Sequence, residues 1–280
     1  MSLLFDRQYR FGFGGFEVGG STPAQPTALR IHFAVQKADT ETPNTARISL
    51  WNLSPEQVAA LNEKDCHAVL RAGYGNHMPL IFSGTITYVK TLMDGADRET
   101  VMEICDGRVP LRETYCSLSY AGVVNARTVI DDIAGDMELP VTYSYNAAFA
   151  DFPNGFSFIG PGRVGLDKAC ATSGLQWRIC NGVLQVKRER DTMDREAYLL
   201  SPDSGLLGIP RNILVAPEGY GLDEQQGVEV EYLLNGAIGI GDFVRVESRD
   251  IQGFYRVKWL ELAGDSIRGA WKCTAKLIGA

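Results

Sequence analysis

Alternation of apolar and polar residues between positions 29 and 53 constrains the fold of this chain more than any other feature. Apolar side chains occupy every second position in residues 29–35 and again in residues 47–51. A period of two is typical of half-buried strands. The segment 37–45 between them is rich in Asp, Thr, Pro and Asn, which predicts a polar loop.

A helix start follows the second strand directly. Ser54 is an N-cap residue, Pro55 occupies the first helical position, and Gln57 completes a capping box, which predicts a short helix to about residue 62. Further strands are predicted on both sides of this helix. They cover the glycine-rich start of the chain and residues 66–74, 80–92 and 99–105. Five or six strands with one short helix predict a small antiparallel barrel.

Composition limits the function classes. The chain has 280 residues, 45% hydrophobic and 22% charged, and a formal net charge of -7. An acidic balance argues against a protein that holds nucleic acid by phosphate contacts, but it allows DNA to pass without sticking. No apolar run reaches the length of a membrane span, and the N-terminus lacks the apolar core of a signal peptide, so we expect synthesis and folding in the cytosol.

The six cysteines do not form a metal or redox pattern. They are scattered, without a CxxC pair or a nearby pair of histidines. Buried free thiols are the simpler interpretation, and the sequence predicts no metal site and no cofactor.

Residues 111–200 change to a mixed α+β pattern. Asn125 is positioned to cap a helix over residues 126–137 whose apolar side chains share one face. Four carboxylates lie largely on the other face, and carboxylate clusters serve acid–base chemistry or bind hard cations in some proteins. The wet face of an amphipathic helix is the preferred interpretation. These carboxylates are Asp131, Asp132, Asp136 and Glu138.

A formal GxGxxG motif spans residues 160–165, between a predicted strand and a helix over residues 164–172. This is the arrangement of a dinucleotide fingerprint. However, Pro161 lacks the N–H that a phosphate loop would use, and the next strand, 175–180, ends in Asn181-Gly182, the strongest type I′ hairpin signal in the chain. We therefore interpret the glycines as a loop and helix cap, with an antiparallel hairpin into residues 183–187.

The C-terminal part reads as strands again. After a charged connection at residues 188–196, about five strands with short turns predict a second small barrel. They cover residues 205–210, 228–234, 243–248, 254–262 and 268–277.

Several of these segments resemble the central baseplate hub proteins of contractile phage tails and the related R-type bacteriocins. The resemblance is carried by PNTARISLWNLSPEQ at 43–57, GYG at 73–75, LIFSGTI at 80–86 and DG at 106–107, and later by GLLGIP, GVEVEYLLNGAIGIGDFVRVES and a closing strand with Trp271. These are patterns of apolar residues, turns and glycine and contain no catalytic signature.

The resemblance implies a mainly β chain with two tail-tube-like β-barrels, at residues 1–110 and 201–280, flanking an α/β insertion domain at residues 111–200. It further implies a homotrimer in which two barrels per chain imitate a ring of six. Such a trimer would join the hexameric tail tube to the central spike, contact the tape measure protein and other baseplate proteins, and form a channel with DNA as passing cargo. The expected location is the baseplate of the virion tail, after synthesis in the host bacterial cytoplasm.

Two other function classes stay open. An enzyme is not predicted, because His32, His67 and His77 are the only histidines and neither HExxH nor GxSxG occurs, although a triad assembled from distant residues remains an alternative. A receptor- or carbohydrate-binding β-module would need an exposed aromatic platform. Its candidates are Trp51, Trp177, Trp259 and Trp271, for which core or interface packing is the preferred interpretation.

Overall fold

A computed structural model describes residues 6–20, 28–40, 42–215 and 224–279. The fold is mostly β, with 54% of residues in strands and 15% in helices. No helix in these described ranges is long and apolar enough to cross a bilayer. The described strands are β1 Arg7–Phe13, β2 Phe16–Gly19, β3 Ile31–Ala38, β4 Thr45–Trp51, β5 His67–Tyr74, β6 Leu80–Asp94, β7 Asp97–Cys105, β8 Tyr115–Tyr120, β9 Val124–Asn125, β10 Val141–Tyr143, β11 Asp151–Phe152, β12 Phe156–Pro161, β13 Gln176–Cys180, β14 Val183–Lys187, β15 Ala197–Leu200, β16 Leu206–Val215, β17 Gln225–Leu233, β18 Phe243–Glu247, β19 Gln252–Asp265 and β20 Trp271–Gly279. The helices are α1 Pro55–Leu61, α2 Arg108–Glu113, α3 Ala126–Asp136 and α4 Gly162–Thr172, with a short 3-10 turn at Pro202–Ser204.

The chain divides into two compact units. The first unit comprises residues 1–39, 44–106 and 196–280, and the second comprises residues 40–43 and 107–195. The strands of the first unit form a sheet in the order β16-β17-β20-β19-β3-β4-β7-β6-β5-β1-β2, with β18 and β15 branching from β19. Its core is built from alternate side chains of these strands, among them Phe11, Phe33, Phe82 and Tyr232.

The two separate barrels predicted from the sequence are not confirmed. Among the described strands, the pairing path runs from β16 to β2 without returning, so these strands form no closed barrel. The physical reason is that β19, a strand of the second predicted barrel, pairs with β3, a strand of the first. The second part of β19 binds β3 antiparallel, from Trp259 opposite Ala38 to Asp265 opposite His32.

The first unit contains the same strand arrangement twice. One half-sheet has the order β3-β4-β7-β6-β5, and the other has the order β16-β17-β20-β19-β18. In each half a long strand carries a bulge opposite its hairpin partner, after Ile86 in β6 and after Val257 in β19. The register after the bulge is the same in the two halves: Tyr88 lies opposite Glu103, and Trp259, at the equivalent place, lies opposite Lys276. The backbone of the first unit therefore contains a duplicated strand arrangement.

Local signals in the sequence are confirmed in the first unit. The capping box of α1 is formed, since Gln57 N–H donates to Ser54 Oγ at 3.3 Å and Ser54 N–H donates to Gln57 Oε1 at 2.9 Å. The glycine-rich start forms the hairpin β1–β2, whose turn residues Gly14 and Gly15 have positive φ. Between the predicted strands 205–210 and 228–234, residues 216–223 lie outside the described residues.

The second unit has its own core between two helices and short sheets. α3 and α4 pack on β13, β14 and the β8–β12 pair, around Val129, Ile133, Leu166 and Trp177. The predicted hairpin at Asn181-Gly182 is confirmed, with φ of 54° and 75° at its two turn residues. The small sheet is not antiparallel throughout, because β10 adds to β14 in parallel.

Candidate assembly surface

The first unit presents one face of its sheet that does not contact its core. Along β3, Ile31, Phe33 and Val35 are buried, whereas His32 and Gln36 are exposed, as the pleat requires. Cross-strand register extends this second set over β4, β7, β6, β19, β20, β17 and β16, and we call its exposed and half-buried members the open face. Its members are Tyr88, Lys90, Glu99, Glu103, Arg47, His32, Ala34, Gln36, Trp259, Glu261, Ala263, Lys272, Thr274, Lys276, Glu229, Glu231 and Arg211.

Opposite charges alternate across the open face. Arg47 lies opposite Glu103 in one half-sheet, and Glu229 lies opposite Lys276 in the other. Lys272 forms an ion pair of 2.8 Å with Glu231, and Arg211 pairs with Glu229. Cross-strand pairs of opposite sign stabilise a sheet modestly and cancel each other's field. The face is therefore polar without a dominant sign of charge.

Stacking and hydrogen bonds connect four side chains at one rim of the open face: Arg30, Trp51, Asp94 and Asp265. The Arg30 guanidinium lies 4.2 Å from the ring centroid of Trp51 and 2.8 Å from Asp265. Trp51 Nε1 donates to Asp94 Oδ2 at 3.0 Å. Burial raises the pKa of the Asp265 carboxyl, but hydrogen bonds from Arg30 and from two backbone N–H groups of the following turn outweigh it, so the pKa lies below its ordinary value. Asp265 thus remains an anion that fixes the rim.

The four tryptophans do not form an exposed platform. Trp51, Trp177 and Trp271 are buried, and Trp259 is half-buried with the Lys276 ammonium 5.0 Å from its ring centroid. The interpretation as packing groups is confirmed for Trp51, Trp177 and Trp271. The aromatic surface that a sugar-binding module needs is not supplied by them.

β2 and β15 each pair with one described strand, and two further edges of the first unit, on β6 and β16, also lack a neighbour among the described strands. β5 pairs with residues 80–85 of β6, whereas residues 87–94 are paired with β7 alone. β16 pairs with β17 alone. Large apolar side chains lie exposed on both edges, including Met93 on β6 and Leu214 on β16. Unpaired edges with apolar side chains are ready to bind another strand. Sequence reasoning did not identify these residues, because exposure of an edge depends on which strands pair.

The candidate chemical groups of the second unit have structural roles. Asn125 Oδ1 caps α3 by accepting from Arg127 N–H at 3.0 Å. Asp131 accepts a hydrogen bond from Tyr143 at 2.6 Å, and Asp132 accepts one from Tyr120. The described residues contain no group of three metal-ligating side chains.

The glycine motif also serves packing. Its first helical amide, Gly162 N–H, donates to the Thr114 carbonyl at 3.0 Å. A Cβ at Gly165 would lie 2.9 Å from the ring of Phe158, so this glycine allows α4 to approach β12. The motif is therefore occupied by contacts within the unit.

The histidines lie apart from one another. His32 is on the open face, His77 is in a turn, and His67 Nε2 lies 3.2 Å from Ser83 Oγ. A serine beside an imidazole is the first part of a hydrolytic triad. Here Ser83 is buried in the sheet, and the described contacts place no carboxylate on His67.

Solved structures share this arrangement over nearly the whole chain. The 43 kDa tail protein of prophage MuSo2 from Shewanella oneidensis superposes with a TM-score of 0.63, covering 98% of this chain and 97% of that chain at 9% identity. The chain has the fold of phage tail proteins. A tail protein from Neisseria meningitidis MC58 matches with a TM-score of 0.63 and 11% identity, again over 98% and 97% of the two chains.

The tail-protein fold extends to secretion machinery. The c3393 protein of E. coli, a component of the type VI secretion system described as similar to the T4 tail proteins gp27 and gp5, matches with a TM-score of 0.61 and 11% identity, over 92% of this chain and 76% of that chain. No family model and no curated protein matches the sequence. The resemblance to hub-like tail proteins is thus confirmed as a likeness of fold.

Proposed function

We propose that the chain is a structural subunit of a phage tail baseplate hub, acting as a homotrimer that joins the hexameric tail tube to the central spike. The duplicated half-sheet is the observation that carries this proposal. Each half supplies one tube-like unit, so three chains present six similar units to a six-subunit ring. The three-part division at residues 1–110, 111–200 and 201–280 belongs to the same proposal.

The open face would line the channel of such a ring. Its ion pairs, such as Lys272 with Glu231, leave no dense basic patch to bind phosphate groups. DNA or tape measure protein would therefore pass without being held. Tube, spike and other baseplate proteins are the proposed partners, and the virion tail is the proposed location. The role is one of geometry, and no enzymatic step is part of it.

Electron microscopy of the purified chain, with mass photometry at micromolar concentration, tests the proposal. A threefold ring with a central hole is the expected result. A particle that stays monomeric at all concentrations, and also when mixed with tube and spike proteins, would overturn it. Binding on a glycan array by that monomer would instead favour the receptor-binding module.

A further inference from the structure

The two half-sheets differ at one edge, and this difference defines a binding site. In the second half-sheet, residues 259–265 of β19 are covered by β3. The equivalent stretch of the first half-sheet, residues 88–94 of β6, has no such cover among the described strands. Conversely, the strand equivalent to β3 is β16, whose outer edge is also uncovered. The open edges of β6 and β16 therefore correspond to the two partners of a pairing that already exists inside the chain.

The registers of the two half-sheets define which residues are equivalent. β6 and β19 align through their bulges, so Tyr88 corresponds to Trp259 and Val89 to Leu260. β16 and β3 align through β17 and β4: Arg211 lies opposite Glu229, as Ala34 lies opposite Arg47. The equivalence extends along β16 from that point. Asn212 corresponds to Val35, Ile213 to Gln36, Leu214 to Lys37 and Val215 to Ala38.

The internal pairing then predicts an external one. Inside the chain, Leu260 lies opposite Lys37, and Leu262 lies opposite Val35. Transfer of this register to the open edges places Val89 opposite Leu214 and Thr91 opposite Asn212. It also places Tyr88 opposite Val215 on the open face.

The side chains at these positions suit such a pairing. Val89 is half-buried against the core, while the Leu214 side chain is 64% exposed. Opposite each other they would form an apolar pair that continues the core across the junction of the β6 and β16 edges, which we call the seam. Thr91 and Asn212 would form a polar pair beside it.

We infer that residues 88–92 of β6 bind residues 211–215 of β16 from a second copy of this chain as antiparallel strands, with Val89 opposite Leu214. The partner is a second copy because the site repeats a contact the chain makes with itself. The interface joins two different surfaces, so its rotation either closes a ring or builds a filament. Closure at three copies rests on the proposed function, whereas the strand pairing itself does not.

Disulfide trapping tests the register. Val89→Cys and Leu214→Cys are made as separate proteins, mixed and oxidised under native conditions. Directly opposed residues bring their Cβ atoms within about 4.5–5.5 Å, close to disulfide range, whereas diagonal neighbours lie about 7–8 Å apart. The mixture should give a cross-linked dimer, and each variant alone should give none. The control mixture of Val89→Cys with Asn212→Cys should cross-link far less. Equal trapping in the two mixtures, or none in either, would overturn the assigned register.

A charge in the seam tests its contribution to assembly. Leu214→Asp should weaken association about 100-fold, because it removes a large apolar contact and buries a carboxylate. Ile267→Asp is the matched control, since Ile267 is 63% exposed in the β19–β20 turn, and it should associate like the wild type. Circular dichroism establishes that both variants fold.

The outcomes separate this inference from the proposed function. A threefold ring that persists in Leu214→Asp and shows no disulfide trapping would overturn the seam and leave the hub proposal standing. Trapping in a filament or an open chain would support the seam and overturn the trimer. A monomer at all concentrations, with no trapping, would overturn both.

Discussion

The buried ion pair between Arg256 and Asp39 should stabilise the junction of the two half-sheets. Arg256 Nη1 lies 2.7 Å from Asp39 Oδ2, and their side chains are only 4% and 6% exposed. Asp39 follows the last residue of β3, and Arg256 precedes Val257, where the bulge of β19 begins. The ion pair therefore connects the two strands whose pairing joins the half-sheets. Asp39→Asn keeps the volume of the side chain and removes its charge.

The expected loss of stability is large because the arginine remains buried. Removal of one partner from a buried pair typically costs about 3–5 kcal/mol. The exposed pair Arg245–Glu247 is the control, with side chains 53% and 38% exposed. Glu247→Gln should change the free energy of unfolding by less than about 1 kcal/mol.

Urea unfolding followed by tryptophan fluorescence measures both variants, since Trp51, Trp259 and Trp271 report on the first unit. The double variant Asp39→Leu/Arg256→Met should recover most of the loss, because a well-packed apolar pair replaces a buried ion pair at little cost. If Asp39→Asn unfolds at the same urea concentration as Glu247→Gln, the argument that this pair stabilises the junction is wrong.

Three further perturbations test local features. Gly84→Ala should destabilise the first unit by about 1–3 kcal/mol in urea titration, because its Cβ would lie 2.6 Å from the carbonyl oxygen of Cys105 and the backbone must shift; an unchanged midpoint would contradict this. Ser54→Ala removes the cap of α1 and should cost about 1 kcal/mol, measured in the same titration, whereas Ser54→Asp should retain most of the stability. Burial, and then the adjacent Asp136, raises the pKa of the Cys116 thiol to about 11, so the unfolded chain loses this proton first and stability should fall as pH rises from about 9 towards 11. Cys116→Ala should reduce this fall, and equal pH profiles for the two proteins would refute the linkage.

Local signals in the sequence predicted local structure well. Ser54, Pro55 and Gln57 predicted the start of α1, and Asn181-Gly182 predicted its hairpin, because a cap or a tight turn depends on residues close in sequence. Alternation predicted the long strands, since burial of one face needs only a period of two. Short elements such as α2 and β9 were missed because too few residues carry a pattern.

Long-range pairing was not predictable in the same way. Nothing near Trp259 or Ala38 specifies that β19 binds β3, because the two strands are more than two hundred residues apart. The backbone N–H and C=O groups of either strand could pair with several other strands. The ion pairs of the open face were missed for the same reason. Arg47 and Glu103 meet only when β4 and β7 are in register.

The charge reversal between the half-sheets explains why the repeat is hidden in the sequence. Arg47 opposite Glu103 corresponds to Glu229 opposite Lys276, so the sign of charge differs at each equivalent position while both halves contain a pair of opposite charges. Pairing conserves the energy of the interaction and not the identity of either residue.

The bulges have diverged in the same way. Thr87 donates from its hydroxyl to the Glu103 carbonyl at 3.1 Å, whereas Lys258, at the equivalent place, donates to the Asp39 carbonyl at 3.1 Å. The hydrogen bond at the bulge of β6 thus lies within the first half-sheet. The one at the bulge of β19 connects the second half-sheet to the residue that follows β3 of the first. The duplicated backbone has one connected edge and open edges on β6 and β16, and disulfide trapping between Val89 and Leu214 tests whether these open edges bind copies of the chain in a series.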